Sequence, residues 1–169
     1  MKKTISTDQT EANIRGVLHL LSETPNRLVE LSQGLSDKKL REPLGAGERS
    51  FTECLAHLIN CEALTSDAIY LALMLNEPTV APIHAERDLG KLLRFEQQDF
   101  HELLAYFKFR RKVLLNVLTP LTEKKWSRVI REEGKQRKES VYWRARGQAM
   151  HELEHITDLE HKLGKHGHR

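Results

Sequence analysis

Apolar positions recur along most of this chain at spacings of three, four and seven, the period of a helix that buries one face. From Glu11, the run Ile14, Val17, Leu18 and Leu21, then Leu28, Leu31 and Leu35, predicts a first helix. Pro25 interrupts it, and because proline disfavours a helical conformation at the residue before it, a kink or fresh start is expected there, with Thr24 as the cap. Gly34 and Ser36 close this element, and Arg41 to Gly47 reads as a loop. Ser50-Phe-Thr-Glu53 has the form of a capping box. It opens a second helix with Phe51, Leu55, Leu58, Ile69 and Leu73 on its inner stripe, ending near Asn76. Residues 77–87 form a polar connection containing Pro78 and Pro82. A third helix is expected from about Asp88 through Leu92, Phe95, Leu103, Phe107, Val113 and Leu118 to Pro120. Thr122 to Trp126 reads as a short helical turn and Glu132 to Glu139 as a charged surface loop. A fourth helix then starts near Ser140. No segment alternates with period two over a strand's length, and no repeat is present. The pattern predicts an all-α, four-helix bundle forming a single domain over 1–169, with loose ends at about 1–10 and 164–169.

The bulk numbers narrow the function. Apolar content of 39% with 30% charged residues describes a soluble globular chain. No apolar run approaches the roughly 20 residues that span a bilayer, so no membrane partner is expected. Met1 to Asp8 has lysines but no apolar segment after them, unlike a secretory signal. Cys54 and Cys61 lie two turns apart on one predicted helix, roughly 10 Å, too far for a disulfide. A reduced, cytoplasmic setting follows. The net charge of +3 is small. The basic clusters at Arg110-Arg111-Lys112 and Lys135 to Lys138 have acidic flanks and no interleaved stacking aromatics, which argues against nucleic acid.

The chemistry gathers in Gly147 to Leu163, on the fourth helix. Its apolar stripe is centred near Ala145, Ile156 and Leu163. His151 and His155 sit one turn apart on the flank of that stripe, where two imidazoles can grip one divalent ion. His57, on the second helix, holds the matching flank position. Three neutral imidazoles with an open position suit zinc, nickel or a similar ion, which would make a nucleophile of water or a thiol near neutral pH. Asp158 and Glu62 are candidates for orienting the ring N–H groups. Cys61, one turn from His57, is either a soft ligand, a nucleophile or, like Cys54, small core filler. Trp126 and Trp143 read as packing aromatics.

Three stretches carry a family resemblance: Gly47 to Glu62 with its Ala-His-Leu-Ile-x-x-Glu, Leu118 to Trp126 with its Leu-Thr-Pro-Leu-Thr-x-x-x-Trp, and the closing His-Glu-Leu-Glu-His-Ile. Together they resemble the DinB superfamily over about residues 11 to 163. The resemblance implies an up-down-down-up bundle, often a homodimer, with a three-His metal site on His57, His151 and His155. It further implies a small-molecule substrate and a low-molecular-weight thiol, because members of known chemistry include bacillithiol transferases and mycothiol-dependent maleylpyruvate isomerases. One departure is visible: members commonly carry an aromatic in Gly-x-Trp-Ser, where this chain has Gly47-Glu48-Arg49-Ser50.

Two other readings compete with a metal-dependent enzyme that activates a thiol or water. One is a non-catalytic metal-binding or stress-response bundle. The other is a zinc peptidase, since His151-Glu152-x-x-His155 is literally H-E-x-x-H, with Glu152 as general base and His161 as the third ligand. That extended motif has a helix-ending glycine where this chain has Asp158, and the strands that would bind a peptide are missing. His161, His166 and His168 otherwise read as part of a basic tail.

Overall fold

A computed structural model of the chain describes residues 4–164. Its long helices are α1 (Glu11–Ser32), α3 (Phe51–Met74), α5 (Phe100–Leu118) and α7 (Val141–Lys162). Short helices α2 (Asp37–Arg41), α4 (Lys91–Leu93) and α6 (Glu123–Trp126) lie in the connections. The capping box forms as expected: Ser50 Oγ accepts from the Glu53 N–H at 3.2 Å, and the Glu53 carboxylate accepts from the Ser50 N–H at 2.6 Å.

Two apolar clusters fix the direction of every helix. One joins Leu28 and Leu31 near the end of α1, Phe51 to Ile59 at the start of α3, Phe100 to Phe107 at the start of α5, and Ile156 and Leu159 late in α7. The other joins Val17 and Leu21, Ala68 to Ala72, Leu114 and Leu118, and Val141 to Ala149, which are the opposite halves of the same helices. So α1 runs up, α3 and α5 run down, and α7 runs up. Each of α1 and α7 packs on the other, while α3 and α5 bridge to them.

Because α3 and α5 are parallel, the chain between them must return the full length of the bundle. That return, residues 75–99, is where the structure departs most from the periodicity. A helix starting at Asp88 and running on to Pro120 is not what forms. Instead β1 (Thr79–Val80) is followed by a π-helical turn over Ala85–Gly90, then α4, a 3-10 turn over Phe95–Gln97, and a fresh helix capped by Asp99. The break falls at Arg94, whose φ of 49° is left-handed. A small sheet also appears, with β1 parallel to β2 (Val129–Glu132) and β2 antiparallel to β3 (Glu139–Ser140). Strands of two to four residues are too short to leave a period in the sequence.

Pro25 gives a second departure, since α1 runs through it without a restart. Proline lacks the N–H that would bond the carbonyl of Leu21. That carbonyl instead accepts from Arg111 Nη1 at 2.7 Å. Thr24 is no cap; its hydroxyl donates to the Leu20 carbonyl. Arg111 is only 1% exposed and also donates to Glu152, which is 0% exposed. Gln148 Nε2 donates to the same carboxylate at 2.7 Å, and Thr65 Oγ1 donates on to Gln148. A buried polar chain thus links all four long helices.

Residues 4–10, expected to be loose, are tied to α7: Tyr142 Oη donates to the Ser6 carbonyl at 2.6 Å and Arg146 Nε to the Ile5 carbonyl at 2.8 Å. The rest of the expected loose ends, residues 1–3 and 165–169, with His166 and His168, lie outside the described residues. Among the described residues no helix is long and apolar enough to cross a membrane.

Candidate metal centre

His57 stands in the second turn of α3, and His151 and His155 lie one turn apart in α7. Because α3 and α7 pack side by side, their flanks share a seam, and the three half-buried rings meet in it. His57 Nε2 lies 3.2 Å from His151 Nε2, which lies 3.1 Å from His155 Nε2. The His57 and His155 ring centroids are 4.8 Å apart. Burial and the neighbouring rings push the His155 pKa down to about 4, and burial followed by His57 also lowers that of His151. Three imidazole nitrogens held this close repel one another as cations and cannot all be satisfied by each other's protons. A divalent ion suits such a donor set.

The group that orients His57 comes from the return segment, where the sequence pattern predicts only a polar connection over residues 77–87. His57 Nδ1 is hydrogen-bonded to Glu86. A carboxylate on Nδ1 keeps the proton there and leaves the Nε2 lone pair facing the other rings. Glu86 in turn faces Arg49, with Nη2 at 3.4 Å from its other oxygen. Arg49 occupies the position where the family resemblance leads one to expect an aromatic. The π-helical turn is fixed by His84, whose Nδ1 accepts from the N–H groups of Glu86 and Arg87 at 3.2 and 3.1 Å, and by Asp88, which accepts from the His84 N–H. Such turns are frequent at functional sites. We expect Glu86→Ala to weaken metal binding roughly 10–100-fold, read by competition with a chromogenic chelator; unchanged affinity would separate Glu86 from the site.

The two carboxylates expected to orient the rings are elsewhere. Glu62 is fully buried and accepts from Arg110 Nε at 2.9 Å, with burial raising its pKa against the pull of that guanidinium. Asp158 is exposed and pairs with Lys162 at 2.7 Å. Glu152, the general base of the peptidase reading, points into the core and is paired with Arg111, out of reach of any substrate. One residue beyond His151 on a helix is rotated about 100°, which carries it from the flank to the buried face. His161 is exposed, beside a shallow cleft that also touches His155 and Asp158. Cys54 is buried in the core, as is Trp126, whereas Trp143 stacks under Arg137.

Cys61 is different. Its Sγ lies 3.7 Å from His57 Nε2, and it forms a group with His57 and His151 whose donor atoms all lie within 4.8 Å of one another. His151 is therefore approached by His57 and His155, and His57 by both His151 and Cys61. Burial, followed by Glu86, raises the Cys61 thiol to about 12, whereas burial and the neighbouring rings lower His155 to about 4. A cavity of about 600 Å³ opens on the Glu86 side of His57, lined by Arg49, Asn60, Lys91 and Arg94 among others. A smaller cleft of about 280 Å³ touches Cys61, Thr65, Trp143, Gln148 and His151.

The DinB superfamily model matches residues 20–159. The chain belongs to the DinB superfamily. Among solved structures it is similar to YfiT from Bacillus subtilis, a probable metal-dependent hydrolase with an unusual four-helix bundle topology, with a TM-score of 0.77 and 17% identity over 94% of this chain and 92% of that one. No curated protein matches. At that identity the YfiT likeness speaks for the DinB fold; the chemistry has to be argued from this chain's own residues.

The His155 shift gives a direct check on the metal-free protein. The folded chain keeps this ring neutral between its ordinary value of 6.5 and about 4, where the unfolded chain takes up the proton. His155 therefore withdraws stability as pH falls through that window. Ring-proton NMR should show one imidazole titrating near 4; if every histidine of the apo protein titrates near 6.5, the rings are not packed as described.

Proposed function

We propose that this chain is a metal-dependent enzyme in which His57, His151 and His155 hold one divalent ion, zinc or nickel. The observation that carries this reading is the approach of the His57 and His155 Nε2 atoms to that of His151, all three from neutral or hydrogen-bond-oriented rings. The ion would supply Lewis acidity, making a nucleophile of water or a thiol near neutral pH. The protein's own contribution is positional: Glu86 fixes the His57 tautomer, Arg49 braces Glu86, and the seam between α3 and α7 keeps the rings partly out of water. The small cleft beside His151, with Trp143 and Gln148 on its walls, suits a small electrophile, and a low-molecular-weight thiol is the proposed co-substrate. Hydrolysis, thiol transfer and isomerisation all fit such a centre.

The test is a panel of small electrophiles offered with and without low-molecular-weight thiols to zinc- and nickel-loaded protein. Turnover that is abolished by chelation and restored by the metal supports the reading; turnover that survives chelation rejects it. A second reading, a closed and non-catalytic metal site, is favoured by the nearness of Cys61 to the same nitrogens.

A further inference from the structure

We propose that Cys61 is a fourth protein ligand of the ion held by the His trio, so that the resting centre is three-nitrogen, one-sulfur and closed. This rests on the metal reading above and changes what that centre is. Bond lengths for zinc are about 2.0–2.1 Å to imidazole nitrogen and about 2.3 Å to thiolate. A tetrahedron with those arms has nitrogen–nitrogen edges of roughly 3.3–3.4 Å and nitrogen–sulfur edges of roughly 3.5–3.6 Å. The nitrogen pairs here stand at 3.2 and 3.1 Å, and Cys61 Sγ stands 3.7 Å from His57 Nε2. These three of the tetrahedron's six edges are thus within a few tenths of an ångström of the bound values, and Cys61 Sγ also lies within 4.8 Å of the His151 donor atom.

The placement follows from the helix. Cys61 is one turn beyond His57 on α3, as His155 is one turn beyond His151 on α7, so each helix offers an i, i+4 pair to the shared seam. On binding, the thiol proton leaves to solvent and the sulfur lone pair forms the metal–sulfur bond; no redox change is involved. A coordinating thiol is deprotonated outright by the ion's charge, which overcomes the burial that keeps it protonated in the apo chain. Cys61 also lines the cleft that touches His151, so a small molecule entering there meets the sulfur. Chemistry at the ion would then require that sulfur to be displaced, and an external thiol is the natural competitor for a position that already accepts one.

The experiment is cobalt(II) substitution of the full chain, followed by near-ultraviolet absorption, with Cys54→Ser and Cys61→Ser as paired variants. Wild type and Cys54→Ser should show thiolate-to-cobalt charge transfer, and Cys61→Ser should lose it while still binding one cobalt per chain with unchanged far-ultraviolet circular dichroism. Cobalt bound by wild type without that band overturns the thiolate ligand and leaves the three-His reading standing. A band that persists in Cys61→Ser overturns it equally. No cobalt bound by wild type overturns both this proposal and the metal reading on which it rests.

Discussion

Replacing Arg111 with alanine should destabilise the protein by about 3–5 kcal/mol, the loss typical when one partner of a buried ion pair is removed. For a chain of this size the melting temperature should drop on the order of 10 °C. The reason is specific to this bundle. Glu152 is 0% exposed, and its carboxylate would remain buried with only Gln148 to donate to it. The Leu21 carbonyl, left without a helical partner by Pro25, would lose its donor as well. Substituting both members of the pair by methionine should return much of the loss, since the uncompensated charge is then gone. Thermal unfolding followed by circular dichroism reads both variants. A loss below about 1 kcal/mol for Arg111→Ala would mean the pair is not desolvated as described.

The second large effect is on metal. His57→Ala should reduce bound zinc or nickel from one ion per chain to near zero after dialysis, a greater loss than the roughly 10–100-fold expected for an orienting carboxylate. Helicity should hardly change, because His57 lies at the seam and is outside both apolar clusters. His161→Ala should keep its metal. Elemental analysis of the three proteins decides: full metal in His57→Ala, or its loss in His161→Ala, moves the site elsewhere.

The four long helices could be read from the spacing of apolar residues because each buries one continuous stripe, and Ser50 marked one of their starts through its capping box. His57, His151 and His155 were legible as flank positions that could face one seam and as the positions the family resemblance singles out; that α3 and α7 pack side by side is seen only in the fold. What periodicity could not supply is everything held by a single long-range bond. Glu86 comes from a π-helical turn fixed by His84 and Asp88, and its relation to His57 exists only because parallel α3 and α5 force the chain back along the bundle. Glu62 and Glu152 sit on buried faces where an acid is a violation of pattern. Each is paired with an arginine, Arg110 or Arg111, 48 or 41 residues away in sequence, although one oxygen of Glu62 stays buried without a partner. Pro25 was read by its local rule, and the rule failed because a buried guanidinium took the place of the missing N–H. In the sequence Arg49 stands only as a departure from the family pattern; in the fold it pairs with Glu86.

The most direct measurement is an anomalous difference map from crystals of the zinc-loaded protein, collected at the zinc edge. A single strong peak about 2.0–2.1 Å from the Nε2 atoms of His57, His151 and His155 is the predicted result. A peak elsewhere, such as among Glu154, Asp158 and His161, or no peak at all in the seam between α3 and α7, would contradict it.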